Sequence, residues 1–165
     1  MTDPVSTIYP LFLENPLIST DSRQVLPGSL FFALKGDNFN GNEFAAAALE
    51  KGARYAVVDD PACAAGDRFL LVDDVLTTLQ KLAAYHREQF SIPVVGVTGT
   101  NGKTTTKELI YAVLRKKFRT VATRGNLNNH IGVPVTLLNI TRETEIALIE
   151  MGANHPGEID FLCRI

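Results

Sequence analysis

The chain has 165 residues, of which 45% are hydrophobic and 21% are charged, and its formal net charge is −2. This composition is typical of a globular protein with a buried core, and the length favours one domain or two small ones. The slightly negative charge argues against a nucleic-acid partner, because nucleic acids are bound mainly through excess positive charge.

The sequence carries no sign of secretion or of membrane insertion. Its first residues, MTDPVSTIYP, contain an acid but no basic segment, and no apolar run reaches the length of a membrane span. Cys63 and Cys163 are too few and too far apart for a disulfide framework or a zinc site. We therefore expect a cytoplasmic protein with two free thiols.

Residues 1–20 carry weak signals, and clear elements begin after them. Apolar runs bounded by Pro, Gly or Asp predict strands, and GDNFNGN predicts a turn. Asn42 is the expected N-cap of an alanine-rich helix, and Asp73 or Asp74 is the expected cap of a longer one. We expect His86 to lie on the solvated face of the longer helix. The predicted elements are strands at 30–34, 55–58 and 69–72 and helices at 43–51 and from 73 to about 89.

The pattern changes at the SIP segment, residues 91–93, and we place a domain boundary near Phe90. Strands and helices alternate beyond it, which predicts right-handed crossovers and a parallel sheet, and hence an α/β fold. The predicted strands are 93–98, 120–123 and 146–150, and the predicted helices begin at 103, 133 and about 156. The apolar face of the first of these helices is expected to consist of Leu109, Ile110, Val113 and Leu114.

The segment VTGTNGKTTTKEL, residues 97–109, has the composition of a phosphate-binding loop between a strand and a helix. Glycines there let consecutive N–H groups point into one concavity, and the helix N-terminus favours an anion. Lys103 can then reach the β- and γ-phosphates, and the Thr104 hydroxyl can bind Mg²⁺. Val97 replaces the first glycine of the general pattern, and a glycine-rich turn with an incidental lysine is the alternative. The candidate ATP-binding residues are Gly99, Thr100, Asn101, Gly102, Lys103, Thr104 and Thr105.

Glu150 ends the apolar strand EIALIE and is the candidate for a second metal ligand. Ligands collect at the carboxyl ends of parallel strands, where a carboxylate can complete a Mg²⁺ shell or neutralise charge on a transferring phosphoryl group. A strand-end glutamate that faces solvent is the alternative.

Two polar loops follow the second and third strands of this part. TRGNLNNHIGVP, residues 123–134, and GANHP, residues 152–156, contain amides, an arginine and histidines that suit anionic or sugar-like ligands. Ordinary Asn- and Gly-rich turns are the alternative.

Taken together, four ordered stretches resemble the Mur ligases, the cytoplasmic enzymes that add amino acids to the UDP-muramoyl precursor of peptidoglycan. GVTGTNGKTTTKE is similar to their ATP loop, including the valine in place of the first glycine. STDSRQVLPGSLFFALKGDNFNGNEFAAAALEKGA resembles their N-terminal UDP-binding domain. TRGNLNNHIGVPVTLL and IEMGANHPGEI resemble the family member that adds D-alanyl-D-alanine.

The resemblance implies an ATP- and Mg²⁺-dependent amide ligase. ATP would phosphorylate the terminal carboxylate of UDP-N-acetylmuramoyl-tripeptide, and the amine of D-alanyl-D-alanine would attack the acyl phosphate to give an amide, ADP and phosphate. Lys103 and Glu150 would be the catalytic residues, with Thr104 and Glu150 at the metal. The implied substrate-binding residues are Ser22, Arg23, Asp37, Asn38, Phe39, Asn126, Asn128, Asn129 and His155. We expect a monomer.

Family members have three domains, so the resemblance also implies that the sequence is incomplete. Residues 1–90 would be the UDP-sugar-binding domain, and residues 91–165 the first part of the central phosphate-loop ATPase domain. The modified lysine that bridges metals and the C-terminal domain would be absent. We expect that this piece alone catalyses nothing.

Four other interpretations stay open from the sequence. Folylpolyglutamate synthase has a similar phosphate loop but lacks the DSR…PGSLFFALKG domain. Another amide ligase of the muramoyl series would differ in its amine substrate. A non-catalytic UDP-sugar or nucleotide sensor would bind ATP without the rest of a ligase, and a purely structural domain would leave Lys103 without a role.

Overall fold

The computed structural model describes residues 3–165. Its contacts divide the chain into two compact units, of which the first ends at Leu82 and the second is Ala83–Ile165. The division falls within a helix, and the domain limit near Phe90 stays a prediction. Among the residues described, every helix is too short or too polar to cross a membrane.

The first unit contains a four-stranded parallel sheet with helices packed on it. The strand order is β1-β2-β5-β6, and β3 and β4 form a separate antiparallel hairpin. The elements are α1 (Pro4–Glu14), β1 (Ile18–Ser19), β2 (Leu30–Phe32), β3 (Lys35–Gly36), β4 (Phe39–Asn40), α2 (Ala45–Glu50), β5 (Tyr55–Val58), β6 (Phe69–Leu71) and the start of α3 (Val75–Glu88). The predicted turn is the hairpin turn at Asp37 and Asn38.

The expected N-cap role of Asn42 is wrong. Residues Gly41–Phe44 form a 3₁₀ turn before α2, and the side chain of Asn40 caps it by accepting from the N–H of Asn42. The Asn42 amide is buried and donates to Asp59 Oδ1 at 2.8 Å, while its oxygen accepts from the Asp59 N–H at 3.0 Å. A buried amide needs both partners, and Asp59 supplies them.

Helix α3 has the predicted cap at Asp74, whose carboxylate accepts from the N–H of Thr77 at 2.6 Å. His86, in contrast, is not solvated: its side chain is buried, and its Nε2 donates to the carbonyl of Ile140 at 2.8 Å. Because a carbonyl can only accept, this contact fixes the proton on Nε2. The histidine is therefore buried within the second unit, because the Ile140 carbonyl satisfies its ring N–H.

The second unit has the predicted parallel sheet. Strand β9 lies in the middle of the order β7-β9-β8, and Val97 of β7 is level with Glu150 of β9. The elements are β7 (Val94–Val97), α4 (Lys103–Leu114), β8 (Thr120–Ala122), α5 (Gly132–Leu137), β9 (Ile146–Glu150) and α6 (Glu158–Cys163). The parallel order brings the carboxyl ends of all three strands to one edge.

Helix α4 packs on a different face from the one predicted. Leu109 and Val113 are exposed, at 66% and 71% of their surface. Ile110 and Leu114 are half-buried, and Lys107 is the one fully buried residue of the helix. Lys107, Ile110 and Leu114 are spaced as one helical stripe, so a lysine takes a position at which the sequence pattern favours an apolar residue.

Candidate active site

The loop between β7 and α4 turns at a glycine, as the sequence predicts. Gly102, directly before the helix, has φ of 75°, which side chains other than glycine rarely adopt. Lys103 begins α4, and its ammonium donates to the carbonyl of Gly99 at 2.6 Å. The lysine side chain thus folds back across the loop to the residue four positions before it.

Glu150 does not face solvent, so that alternative is wrong. Its side chain is fully buried, and Oε1 accepts from Thr104 Oγ1 at 3.1 Å and from Asn128 Nδ2 at 2.7 Å. Its backbone N–H donates to Thr123 Oγ1 at 2.9 Å. Three segments that are distant in sequence, the loop helix, the asparagine loop and β9, therefore meet at one carboxylate.

The second oxygen of this carboxylate, Oε2, is buried and has no hydrogen-bond partner among residues 3–165. An unpaired buried carboxylate oxygen is costly unless a cation or donor satisfies it. Thr104 and Glu150 supply oxygen ligands of the type that Mg²⁺ prefers, so the residues fit such an ion. Within the described part of the chain no group of three His, Cys, Asp or Glu side chains surrounds a metal position. The remaining ligands would be water and phosphate oxygens.

The predicted asparagines lie beside the loop lysine. Lys103, Asn126, Asn128 and Asn129 line one cavity of about 470 Å³. Its other lining residues are His130, Gly152, Ala153, Asn154, Glu158, Phe161 and Leu162. The backbone of Asn128 accepts from the N–H of Gly152 at 2.8 Å, which holds the two polar loops together.

His155 is not among the residues that line this cavity. Its N–H and that of Asn154 donate to Glu158 Oε2, at 3.1 and 2.6 Å. These two hydrogen bonds from the backbone lower the pKa of Glu158. Glu158 is therefore an anion in the cavity wall that fixes the shape of the GANHP loop.

The first unit has a separate cavity of about 480 Å³ that includes part of the predicted substrate-binding set. Ser22, Arg23 and Phe39 line it, whereas Asp37 and Asn38 lie in the exposed hairpin turn and do not. The remaining lining residues are Thr20, Asp21, Phe31, Leu34, Gly41 and Phe44. Three phenylalanines beside a polar segment suit a flat ring with a polar attachment.

Arg23 is held at the rim of this cavity by Asp21. The guanidinium donates to Asp21 Oδ2 at 2.7 Å, and the Arg23 side chain remains 84% exposed. Hydrogen bonds from the Arg23 side chain and backbone lower the pKa of Asp21 to about 2. The pair therefore stays ionised at neutral pH, with guanidinium N–H groups still open to solvent.

Lys107 and Thr123 were not predicted from the sequence, yet both are buried next to Glu150's strand end. The signal for Lys107 is its spacing: it follows Lys103 by one helical turn and precedes Ile110 and Leu114 on one stripe. Thr123 directly follows β8, and the sequence gives no sign that its hydroxyl is buried.

Comparison with known proteins places the chain in a family. The model described as "Mur ligase family, catalytic domain" matches residues 16–87, and "Mur ligase middle domain" matches residues 97–165. The UDP-N-acetylmuramoyl-tripeptide–D-alanyl-D-alanine ligase of Bacillus subtilis is 45% identical over 150 residues, which are 90% of this chain and 33% of that protein. The Escherichia coli ligase of the same name is 45% identical over 86% of this chain and 31% of its own length.

Solved structures give the same result. A crystal structure of MurF from Acinetobacter baumannii matches with a TM-score of 0.79 and 42% identity, over 88% of this chain and 32% of that one. The MurF ligase of Thermotoga maritima in complex with ADP matches with a TM-score of 0.79 and 37% identity, over 99% of this chain and 36% of that one. The chain spans about a third of the length of the relatives that it matches. With both halves matched by models of one family and the fold shared with its solved structures, the chain belongs to the Mur ligase family.

Proposed function

We propose that the second unit binds ATP with Mg²⁺ and that the full-length gene product is an ATP-dependent ligase. The observation that carries the proposal is the contact of the loop hydroxyl Thr104 with the buried carboxylate Glu150, whose other oxygen has no hydrogen-bond partner among residues 3–165. Asn128, which donates to this carboxylate, lines the same cavity as Lys103. A loop for phosphates and an oxygen site for a cation thus lie side by side. The ADP complex of the Thermotoga maritima relative supports the nucleotide.

The residues of the loop would act through position and charge. The backbone N–H groups of residues 99–105 would bind the phosphate oxygens, and Lys103 would leave the Gly99 carbonyl for the β- and γ-phosphates. Thr104 and Glu150 would hold Mg²⁺, and Asn128 would keep the Glu150 carboxylate in place. A bound Mg²⁺ neutralises charge that develops on the transferring phosphoryl group.

We propose UDP-N-acetylmuramoyl-tripeptide and D-alanyl-D-alanine as the substrates, as the names of the relatives state for those proteins. The acceptor carboxylate would lie near the γ-phosphate, with Asn126, Asn128 and Asn129 along the sugar–peptide side of the cavity. In the first unit, Ser22, Arg23 and Phe39 would contact the uridine diphosphate. Asp37, Asn38 and His155 stay candidates, although they lie outside the two cavity walls.

A direct test is phosphate release by the purified full-length gene product with MgATP, UDP-N-acetylmuramoyl-tripeptide and D-alanyl-D-alanine. We expect release only when all three are present, and an amide product by mass spectrometry. Release with a single amino acid in place of D-alanyl-D-alanine would assign a different ligase step. ATP binding without any release would instead favour a nucleotide-binding module.

We also propose that the full-length gene product is a cytoplasmic monomer, since its nucleotide-linked substrates would be made and used in the cytoplasm. Size-exclusion chromatography with light scattering tests the monomer, and a dimer mass would contradict it.

A further inference from the structure

Lys107 is a buried cation that the proposed reaction does not use. Its side chain is 1% exposed, although Leu109 and Val113 of the same helix are exposed to solvent. Its Nζ donates to the carbonyl of Thr123 at 2.8 Å and to Glu108 Oε1 at 2.6 Å. Glu108 is 58% exposed, so only the Thr123 carbonyl is a buried partner. Burying an ammonium is costly, which calls for a role other than packing.

The partner of Lys107 leads directly to Glu150. Thr123 is buried directly after β8, and its N–H donates to the Leu148 carbonyl of β9 at 3.0 Å. Its hydroxyl accepts from the Glu150 N–H at 2.9 Å. Thr123 therefore connects the Lys107 ammonium with the backbone of the residue that would bind Mg²⁺.

These contacts form a closed ring. Helix α4 contacts Glu150 through Thr104 and contacts Thr123 through Lys107, which lies three residues further along the same helix. Thr123 in turn contacts Glu150, and Asn128 closes the other side of the carboxylate. Two residues of α4, Thr104 and Lys107, thus connect the helix to Glu150 and its neighbour Thr123, and Lys107 is the buried one of the two.

We infer that Lys107 is a positioning residue for Glu150: through Thr123 it fixes the strand end so that the Glu150 carboxylate and the Thr104 hydroxyl face one cation. The inference rests on the proposed function only for the identity of that cation. Methionine fills a similar volume without the donor, so Lys107→Met removes the hydrogen bond and leaves the packing. Replacement of a buried charge by an apolar side chain of similar volume is often neutral for stability. A change at Glu150 in this variant would then reflect lost positioning and not unfolding.

The first readout needs no metal and no nucleotide. In the full-length gene product, hydrogen–deuterium exchange measured by mass spectrometry reports on the Glu150 N–H that donates to Thr123. We expect exchange about tenfold faster in Lys107→Met, because one hydrogen bond holds the acceptor in place. Glu108→Gln is the matched control: it removes the negative charge of the exposed partner and keeps the Thr123 contact, so exchange should equal that of the unsubstituted protein.

The second readout is Mn²⁺ affinity by electron paramagnetic resonance in the presence of ATP. We expect about tenfold weaker binding in Lys107→Met, as for other residues that orient a metal ligand, and no change in Glu108→Gln. Thr123→Val, which removes the hydroxyl, should weaken binding similarly, and the double variant should be no worse than either single one. If Lys107→Met does not fold, Thr123→Val carries the test.

The inference would be overturned if Lys107→Met had the same Glu150 N–H exchange rate and the same Mn²⁺ affinity as the unsubstituted protein. Where Thr123→Val carries the test, the same result in that variant would overturn it. Equal losses in Glu108→Gln and Lys107→Met would also overturn it, because the surface ion pair would then be the cause. Absence of Mn²⁺–ATP binding in the original protein would contradict the proposed function instead, while the metal-free exchange rates would still decide the role of Lys107.

Discussion

Glu150 is fully buried, and its Oε2 has no hydrogen-bond partner among residues 3–165. Glu150→Gln keeps the shape of the side chain and an oxygen for Thr104 and Asn128, but it removes the negative charge. We predict that Mn²⁺ affinity in the presence of ATP falls at least about tenfold. Without metal, the free energy of unfolding should fall by no more than about 1 kcal/mol, since a buried unpaired charge is removed. Unchanged Mn²⁺ affinity would contradict the metal role.

Lys103 is the residue whose charge the loop presents to a phosphate. Lys103→Ala should weaken ATP binding by about tenfold to a hundredfold, because a hydrogen bond to a charged group contributes roughly 1.5–3 kcal/mol. Lys116→Ala is the matched control, since Lys116 is an exposed lysine just after the same helix. Calorimetric titration with MgATP measures both. Equal affinities in the two variants would mean that Lys103 does not contact the nucleotide.

Residue identity predicted the loop and the strand-end carboxylate because few side chains suit phosphate and Mg²⁺. The same reasoning missed Lys107, since a lysine in a helix is normally solvated and only the fold shows that its ammonium has a buried partner. His86 was misjudged for the same reason. Burial of a polar side chain depends on a distant acceptor, which local sequence does not contain.

At the scale of elements, Gly132 at the start of α5 lies against the backbone of Leu127. A Cβ added at Gly132 would lie 2.3 Å from the carbonyl carbon of Leu127. We predict that Gly132→Ala lowers the free energy of unfolding by about 1–3 kcal/mol in urea denaturation. In the control Gly96→Ala the nearest atom is the end of the flexible Met151 side chain, so the loss should be smaller. Equal losses would show that the close approach is not the cause.

The end of α3 is predicted to respond to pH through His86. Burial lowers the pKa of His86 from its ordinary 6.5, against the opposing hydrogen bond to Ile140. The unfolded chain then binds a proton more readily, so His86 contributes stability above about pH 6.5 that is lost as the pH falls below it. His86→Gln keeps a donor for Ile140 and removes the titration. Urea unfolding at pH 7.5 and 5.5 should show a smaller loss in the variant; equal losses would contradict the prediction.

Most elements were predictable because apolar runs end at Pro, Gly or Asp. Strands β5 and β9 and the start of α4 agree with the sequence prediction. Helix α1 was missed, although Asp3 caps it and Pro4 occupies its first turn, because its apolar residues are interrupted by Pro10. The sheet-facing side of α4 was misassigned, since two apolar stripes compete on that helix and the buried one contains a lysine.

At the scale of the whole molecule, the residues predicted to bind uridine diphosphate line a cavity of the first unit, and Lys103, predicted to bind ATP, lines a cavity of the second. We predict that UDP and ATP bind to the full-length gene product independently. Arg23→Ala should weaken UDP binding and leave ATP binding unchanged, while Lys103→Ala should do the reverse. Titration of both ligands into both variants tests this, and loss of both ligands in either variant would contradict separate sites.

The most direct measurement is MgATP-dependent amide formation by the full-length gene product. Phosphate release is assayed, and the amide is detected by mass spectrometry. We predict one phosphate per amide formed between UDP-N-acetylmuramoyl-tripeptide and D-alanyl-D-alanine, and no turnover in Glu150→Gln. Phosphate release without amide would contradict the ligase reaction. Undiminished amide formation in Glu150→Gln would contradict the assignment of the cation to the strand end.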